Sequence, residues 1–384
     1  MIAGLRSPCA ARSRTGSDLN FKSRRYGGFF YALLLCKVRH MTDLTTLPEI
    51  PTYHGVTPQS FRDEIYPLGK PAVLKGYVAN WPAVQAARRS VTAVCDYLSA
   101  ADTGQNIPVM YGPENIDGQF FYAEDLKGLN FTKKPAGLSQ TLADLQANPA
   151  SAIYIQSATT PEILNNFERE NSLNIVHESV VPRIWIGNRL TVQTHFDLSD
   201  NIACVVAGRR RFTLFPPSQT KNMYIGPFEN TLAGPPISMV KPDDYDPDKY
   251  PNFAQALEHG LSSELEPGDA IYIPYFWWHH VQSLAPFNIL VNYWWNDMNP
   301  DLGSPFDALL HAFITFSGMP DRQRKTWQEA FDHLVFKENG PVADHLPEEV
   351  RGVLGEHSRE HRRHMRQNLV RALAHQAGMM PRNR

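Results

Sequence analysis

From about Pro108 onward the chain is a succession of short β-type runs, each cut off by Gly, Pro or Asn, and this pattern narrows the possible folds more than any other feature. Runs at 109–111, 119–122, 152–156, 183–187, 190–195, 202–206, 212–215, 270–273 and 288–295 read as strands. Many short strands at irregular spacing favour a double-sheet jelly roll over a parallel α/β sheet, whose strands would alternate with helices. Before them, 72–76 reads as a strand and 91–98 as an amphipathic helix, a mixed α/β lead-in. Beyond Pro300 the strands stop, and 305–316, 321–336, 347–354 and 358–377 carry helical periodicity. The expected architecture is mainly β: an α/β lead-in over 41–125, a jelly-roll core over 126–300 and a C-terminal helical bundle over 301–384. The Pro-rich stretch 226–251 interrupts the core as a long excursion, and an insertion of that length is usually functional or packed over a site.

Charge is unevenly spread. The whole chain of 384 residues carries a formal charge of -2. Residues 1–40 hold six Arg and two Lys against Asp18 alone, so the remainder is near -9. This first segment fits a transit peptide, a disordered basic arm, or an extension preceding a true start at Met41; the ordinary composition that opens at Met41 favours the last. Four cysteines (Cys9, Cys36, Cys95, Cys204) have no metal-ligand spacing, and a disulfide framework is not expected. No span of bilayer length and no clear nucleic-acid signal is present, so a reducing cytoplasm is the expected location. The basic run 359–371 is interrupted by Glu360, follows Glu356 and lacks stacking aromatics, which favours a solvated helix face. Leu369 and Leu373 on that helix, with Ala308, Leu309, Phe313 and Phe316 earlier, are core or homodimer-interface positions.

The chemistry concentrates in two places. Thr194-His195-Phe196-Asp197 closes a predicted strand, and residues two apart on a strand share a face, so His195 and Asp197 point together while Phe196 packs behind. The turn Glu266-Pro267-Gly268-Asp269 precedes a second strand, broken by Pro274 just before Trp277-Trp278-His279-His280. Two imidazoles and one carboxylate on one face of iron(II) leave three positions open for an oxo-acid and dioxygen, whereas a structural zinc site would close its shell. Position alone leaves either His279 or His280 as the third ligand. In Arg209-Arg210-Arg211, strand alternation puts Arg210 inward with Phe212 and Leu214, where a buried guanidinium needs an anionic partner.

His195-Phe196-Asp197, Leu214-Phe215-Pro216-Pro217, Tyr250-Pro251-Asn252-Phe253, Pro267-Gly268-Asp269 and the run through Trp277-Trp278-His279-His280 together resemble the cupin-like JmjC family of iron(II)/2-oxoglutarate oxygenases. Among its branches the pattern is similar to the asparaginyl hydroxylase acting on hypoxia-inducible factor, and the resemblance spans roughly 70–296. It implies a double-stranded β-helix core in which His195, Asp197 and His279 hold iron, with His280 as a neighbour. It implies 2-oxoglutarate bound through Arg210, where the family commonly has lysine, and flanked by Tyr154, Asn201, Asn292 and Trp294. The family's Ser or Thr three residues before the first ligand is Val192 here, so Thr191 or Thr194 is expected to replace it. Gln156 and Trp278 are expected toward the prime substrate. The implied reaction consumes 2-oxoglutarate and O2 and hydroxylates a C–H bond, in a peptide side chain first and a small metabolite next. The competing class is a non-catalytic cupin-fold sensor for iron or a dicarboxylate, and the intact ligand triad argues against it. A cupin isomerase or cofactor-independent dioxygenase would carry three or four histidines instead.

Overall fold

A computed structural model describes residues 40–229, 231–232 and 234–379. The expectations for residues 1–39 lie outside the described residues.

Fifteen strands are described, in chain order β1 (His40–Met41), β2 (Thr52–His54), β3 (Ala72–Lys75), β4 (Asn106–Gly112), β5 (Thr132–Gly137), β6 (Ala152–Thr159), β7 (Arg183–Gly187), β8 (Leu190–His195), β9 (Asp200–Ala207), β10 (Arg210–Phe215), β11 (Asp244–Tyr245), β12 (Leu261–Leu265), β13 (Ala270–Ile273), β14 (Trp278–Ser283) and β15 (Asn288–Trp295). Nine of them form one sheet in the order β2-β3-β13-β9-β15-β7-β6-β4-β5, and four form a second, β12-β10-β14-β8. All pairings are antiparallel except β2 with β3. This is the double-sheet jelly roll of a cupin, mainly β with flanking helices.

The central strand explains the layering. In β9 every residue from Asn201 to Ala207 is buried, because both faces are covered. Ile202, Cys204 and Val206 face a core shared with Trp81 and with Val84, Val94 and Leu98 of the lead-in helices Pro82–Arg89 and Val91–Ala101. Ala203 and Val205 face the opposite way, against Phe212, Leu214, Ile271, Ile273, Val281 and Leu290 between the two sheets. The same alternation runs along β15, where Ile289, Val291 and Tyr293 join the helix-side core and Leu290 the inter-sheet core. Asn201, Asn292 and Trp294 continue the inward rows of β9 and β15, so the strand period itself points them between the sheets.

The structure departs from the sequence reading in four places. Residues 119–122 are no strand; they make isolated bridges, Gln119 to Thr191 and Tyr122 to Leu129, and bury Phe120 and Tyr122 over the sheet. Conversely, β5 and β12 were not expected. Both are edge strands, and the Lys133, Lys134 and Pro135 of β5 are the residues that guard an exposed edge against further pairing. Strand β14 was not expected either; it begins at Trp278, directly after the break at 274–277 that the sequence reading placed before the histidines. Residues 347–354 form two 3-10 turns, Glu348–Val350 and Gly352–Leu354, rather than one helix, with Gly352 in the left-handed region at φ 51.

The excursion 226–251 folds back as a roof. Ile237 bridges to His195, the Ser238 amide donates to the Thr194 carbonyl at 2.7 Å, and Asp244–Tyr245 pairs with His40–Met41. The helices Pro305–Phe316, Asp321–Leu334 and Arg359–Gln376 follow, and none contains a buried residue. The first rests on the roof through Phe306 and Phe313, whose rings lie 5.8 and 5.4 Å from that of Phe228.

Candidate metal centre and cosubstrate pocket

Between the sheets lies a cavity of about 910 Å3, its open mouth included, floored by β9, β10, β14 and β15 and roofed by Leu232, Pro235 and Ile237. At its mouth end His195, Asp197 and His279 converge, each offering one ligand atom within 4.8 Å of the others. Pairing of His279 directly opposite His195 in the β14–β8 ladder brings the two rings to 4.2 Å, and Asp197 follows just past the end of β8. Asp197 Oδ2 stands 3.6 Å from His279 Nε2 and accepts a hydrogen bond from Trp294 Nε1 at 3.0 Å.

Each histidine is oriented by the main chain. Nδ1 of His195 lies 2.8 Å from the Gln193 carbonyl, and Nδ1 of His279 lies 3.0 Å from the Trp277 carbonyl. A carbonyl can only accept, so both rings carry their proton on Nδ1 and leave Nε2 free to ligate. Just upstream of His195 β8 carries a β-bulge: between His279 and Val281 the register on β8 advances three residues, from His195 to Val192. Burial, with the neighbouring His195, pushes the His279 pKa down to about 4, which keeps the imidazole in its neutral, metal-binding form.

A tight turn ties the two ligand-bearing segments together. Phe276 sits in the left-handed region at φ 64, donates its amide to the Asp197 carbonyl at 3.1 Å, and stacks on Phe196 at 4.2 Å. A bulky residue held at positive φ is strained, and such strain is retained where the surroundings fix it. Phe196 packs behind the ligands together with Trp278, Phe215 and Phe253.

At the far end of the cavity is Arg210, 1% exposed. Its neighbours Arg209 and Arg211 point outward and share Glu264, at 2.9 and 2.5 Å. Arg210 itself has no carboxylate within ion-pair distance among the described residues, and its Nε and Nη2 lack hydrogen-bond partners. It bonds the Tyr154 hydroxyl, and burial lowers its pKa while raising that of Tyr154. A guanidinium desolvated without a counter-charge is costly unless an anion enters beside it.

Tyr154, Gln156, Thr191, Asn201, Asn292 and Trp294 all line this cavity. The structure takes Thr194 and Trp278 out of the lining. The Thr194 side chain is on the opposite face of β8 from His195, with Oγ1 3.4 Å from Nδ1 of His280. Trp278 and His280 alternate with His279 and point away; the Trp278 Nε1 donates to Thr220 Oγ1 at 3.0 Å inside the aromatic cluster. His280 is fully buried, and the same geometry removes it from the metal-ligand alternatives. Val192 lines the cavity beside Thr191, since the bulge resets the alternation. Sequence reasoning missed Trp185, whose Nε1 donates to Asn292 Oδ1 at 2.7 Å while Asn292 Nδ2 donates to Asn201 Oδ1 at 3.3 Å. Its position between the core residues Ile184 and Ile186 was the available signal.

The cupin-like domain family matches residues 58–301. The chain belongs to the cupin-like JmjC family. Among curated proteins it is 25% identical to Jumonji C domain-containing protein 5 of Drosophila melanogaster, over 66% of this chain and 62% of that protein. It is 27% identical to tRNA wybutosine-synthesizing protein 5 of Mus musculus, over 65% of this chain and 78% of the relative. To the human bifunctional peptidase and (3S)-lysyl hydroxylase JMJD7 it is 25% identical, over 67% and 87% respectively. The chain thus spans about three fifths of the Drosophila JmjC protein. The His195, Asp197 and His279 cluster, the bulge and the buried arginine all fall inside the matched cupin-like region. No helix among the described residues is long and apolar enough to cross a membrane.

Proposed function

We propose that this protein is an iron(II)- and 2-oxoglutarate-dependent oxygenase that hydroxylates a C–H bond. The observation that carries the reading is the pairing, in one cavity, of a two-histidine, one-carboxylate cluster with a buried arginine that has no counter-ion. The donor set suits iron, since three protein ligands leave coordination positions for a cosubstrate and oxygen. The arginine suits a dicarboxylate, whose distal carboxylate takes a guanidinium bidentately. Once bound, iron and 2-oxoglutarate supply the oxidising power: 2-oxoglutarate, O2 and R–H become succinate, CO2 and R–OH.

The chain's own residues do the positioning. His195, Asp197 and His279 present fixed lone pairs, and Trp294 holds Asp197 by donating to Oδ2. Arg210 with Tyr154 anchors the far carboxylate, while the Asn201–Asn292 pair, held by Trp185, and Thr191 offer polar contacts along the cosubstrate. Leu232, Pro235 and Ile237 exclude water from above. Gln156, on the same face of β6 as Tyr154, stands where a prime substrate enters. A protein side chain or a small metabolite is the substrate class, and the relative named for lysyl hydroxylation supports the first. The wholly unburied C-terminal helices, with Ile314 79% and Trp327 48% exposed, support a homodimer formed through them.

The test is succinate formation from 2-oxoglutarate by the full chain with iron(II) and ascorbate, beside Asp197→Ala. Metal-dependent succinate lost in the variant is expected. Wild-type protein that binds iron and 2-oxoglutarate yet releases no succinate would move the protein to the sensor class.

A further inference from the structure

The basic run of the last helix is not an evenly solvated face. Arg359, Arg363, Arg366 and Arg371 line one open groove with Gln367 and Val370, and the groove is closed on its other side by Asp301. Arg359, Arg363 and Arg366, spaced by four and three residues, lie along one side of the helix, and Arg371, five residues beyond Arg366, reaches the groove from its flank. Glu356 and Glu360, which interrupt the run in sequence, do not line the groove. Asp301 is its one acidic lining residue and is already engaged, with Arg359 at 3.5 Å and Arg362 at 3.8 Å. Arg363 has no ion pair or side-chain hydrogen bond among the described residues, and Arg366 reaches only the Asp301 carbonyl. Four arginines against one aspartate leave a net +3 on a protein whose overall charge is -2.

We propose that this groove is a docking surface for the phosphodiester backbone of double-helical nucleic acid. From Arg359 to Arg371 the helix axis runs about 18 Å, at 1.5 Å per residue. Over that length one strand of a duplex presents about five phosphates at 3.4 Å each, a ladder along which the arginines lining the groove are spread. Arginine is the residue suited to bidentate phosphate contact, and the lining contains no lysine. No aromatic lines the groove either, so it reads a backbone and not unstacked bases. Asp301 lies seven residues beyond Trp294, which bounds the distance from groove to catalytic cavity at about 25 Å of extended chain. The proposal concerns binding and stands apart from the oxygenase reading.

The experiment is fluorescence anisotropy of a labelled RNA hairpin with the full chain across a salt series. Four phosphate contacts predict a log–log salt slope near -3.6, or about a 100-fold loss of affinity between 50 and 200 mM salt. Arg363→Glu with Arg366→Glu should flatten the slope by about 2 and weaken low-salt binding at least about tenfold, and Arg363→Gln with Arg366→Gln should fall between. Circular dichroism melts establish folding of each variant, and unchanged succinate formation separates loss of docking from loss of the cavity. Absence of binding at the lowest salt overturns the proposal, as does binding indifferent to both double variants. Preferential capture of a polyglutamate peptide over the hairpin overturns it too, in favour of an acidic protein partner.

Discussion

Replacing Arg210 by methionine tests the cosubstrate reading most sharply, because affinity and stability are expected to move in opposite directions. Arg210 is 1% exposed, holds only the Tyr154 hydroxyl, and leaves Nε and Nη2 without partners. A charge-assisted contact to a carboxylate contributes about 1.5–3 kcal/mol, so Arg210→Met should weaken 2-oxoglutarate binding by about 10- to 150-fold. The same change removes a desolvated cation that lacks a counter-ion, and replacing such a charge with an apolar side chain of similar reach is often neutral or stabilising. The ligand-free variant should therefore melt no lower than wild type, while the rise in Tm that 2-oxoglutarate gives the wild type should vanish. Differential scanning fluorimetry with manganese in place of iron, across a 2-oxoglutarate titration, reads both. A variant that binds 2-oxoglutarate as tightly as wild type would refute the argument; so would one that loses several degrees while empty, since Arg210 would then be a structural group.

Other expectations concern the metal end. Trp294→Phe removes the hydrogen bond to Asp197 Oδ2 and should lower metal affinity by about 10- to 100-fold; calorimetric titration with manganese checks it, and an unchanged isotherm would discount the tryptophan. Phe276→Ala keeps the strained backbone but loses the stack on Phe196, worth about 0.5–1.5 kcal/mol, so metal binding should weaken by up to about tenfold. Identical affinities would show that the turn holds its shape without the ring. His279 and His280 both have pKa values pushed down to about 4, chiefly by burial, against 6.5 unfolded. Their contribution is intact above pH 6.5 and declines as pH falls toward 4, because only the unfolded chain takes up the protons. Metal-free protein should lose about 2 kcal/mol per histidine between pH 7 and pH 5, and a urea midpoint that stays flat over that interval would contradict the burial argument.

How much of this was legible in the sequence follows from what each signal depends on. Strands buried on one or both faces, such as β9 and β15, announce themselves through composition because packing selects their residues. Edge strands β5 and β12 carry polar and Lys-rich sequences, and only the neighbouring strand explains why they are extended. Alternation was enough to turn Arg210 inward, while Tyr154, Asn201 and Asn292, which line the same cavity, came from the family resemblance. It failed at β8, where the bulge brings Val192 into the lining beside Thr191; Thr194, expected from the resemblance, turns away from the cavity as alternation with His195 requires. A bulge leaves no compositional mark in Thr191-Val192-Gln193-Thr194.

The orientation of His195 and His279 by the carbonyls of Gln193 and Trp277 has a consequence for how such a centre changes over time. Where a carboxylate side chain holds a ligating imidazole, a point mutation can release it. Here the acceptors belong to the peptide backbone two residues upstream, and almost any residue at those positions supplies the same oxygen. Side chains around the two rings are therefore free to be exchanged for new pocket walls, new polarity or new substrate contacts while the imidazole tautomers stay as they are. What the ligand geometry cannot tolerate is a single-residue insertion or deletion in β8 or in the turn before β14, which would change which carbonyl each ring meets.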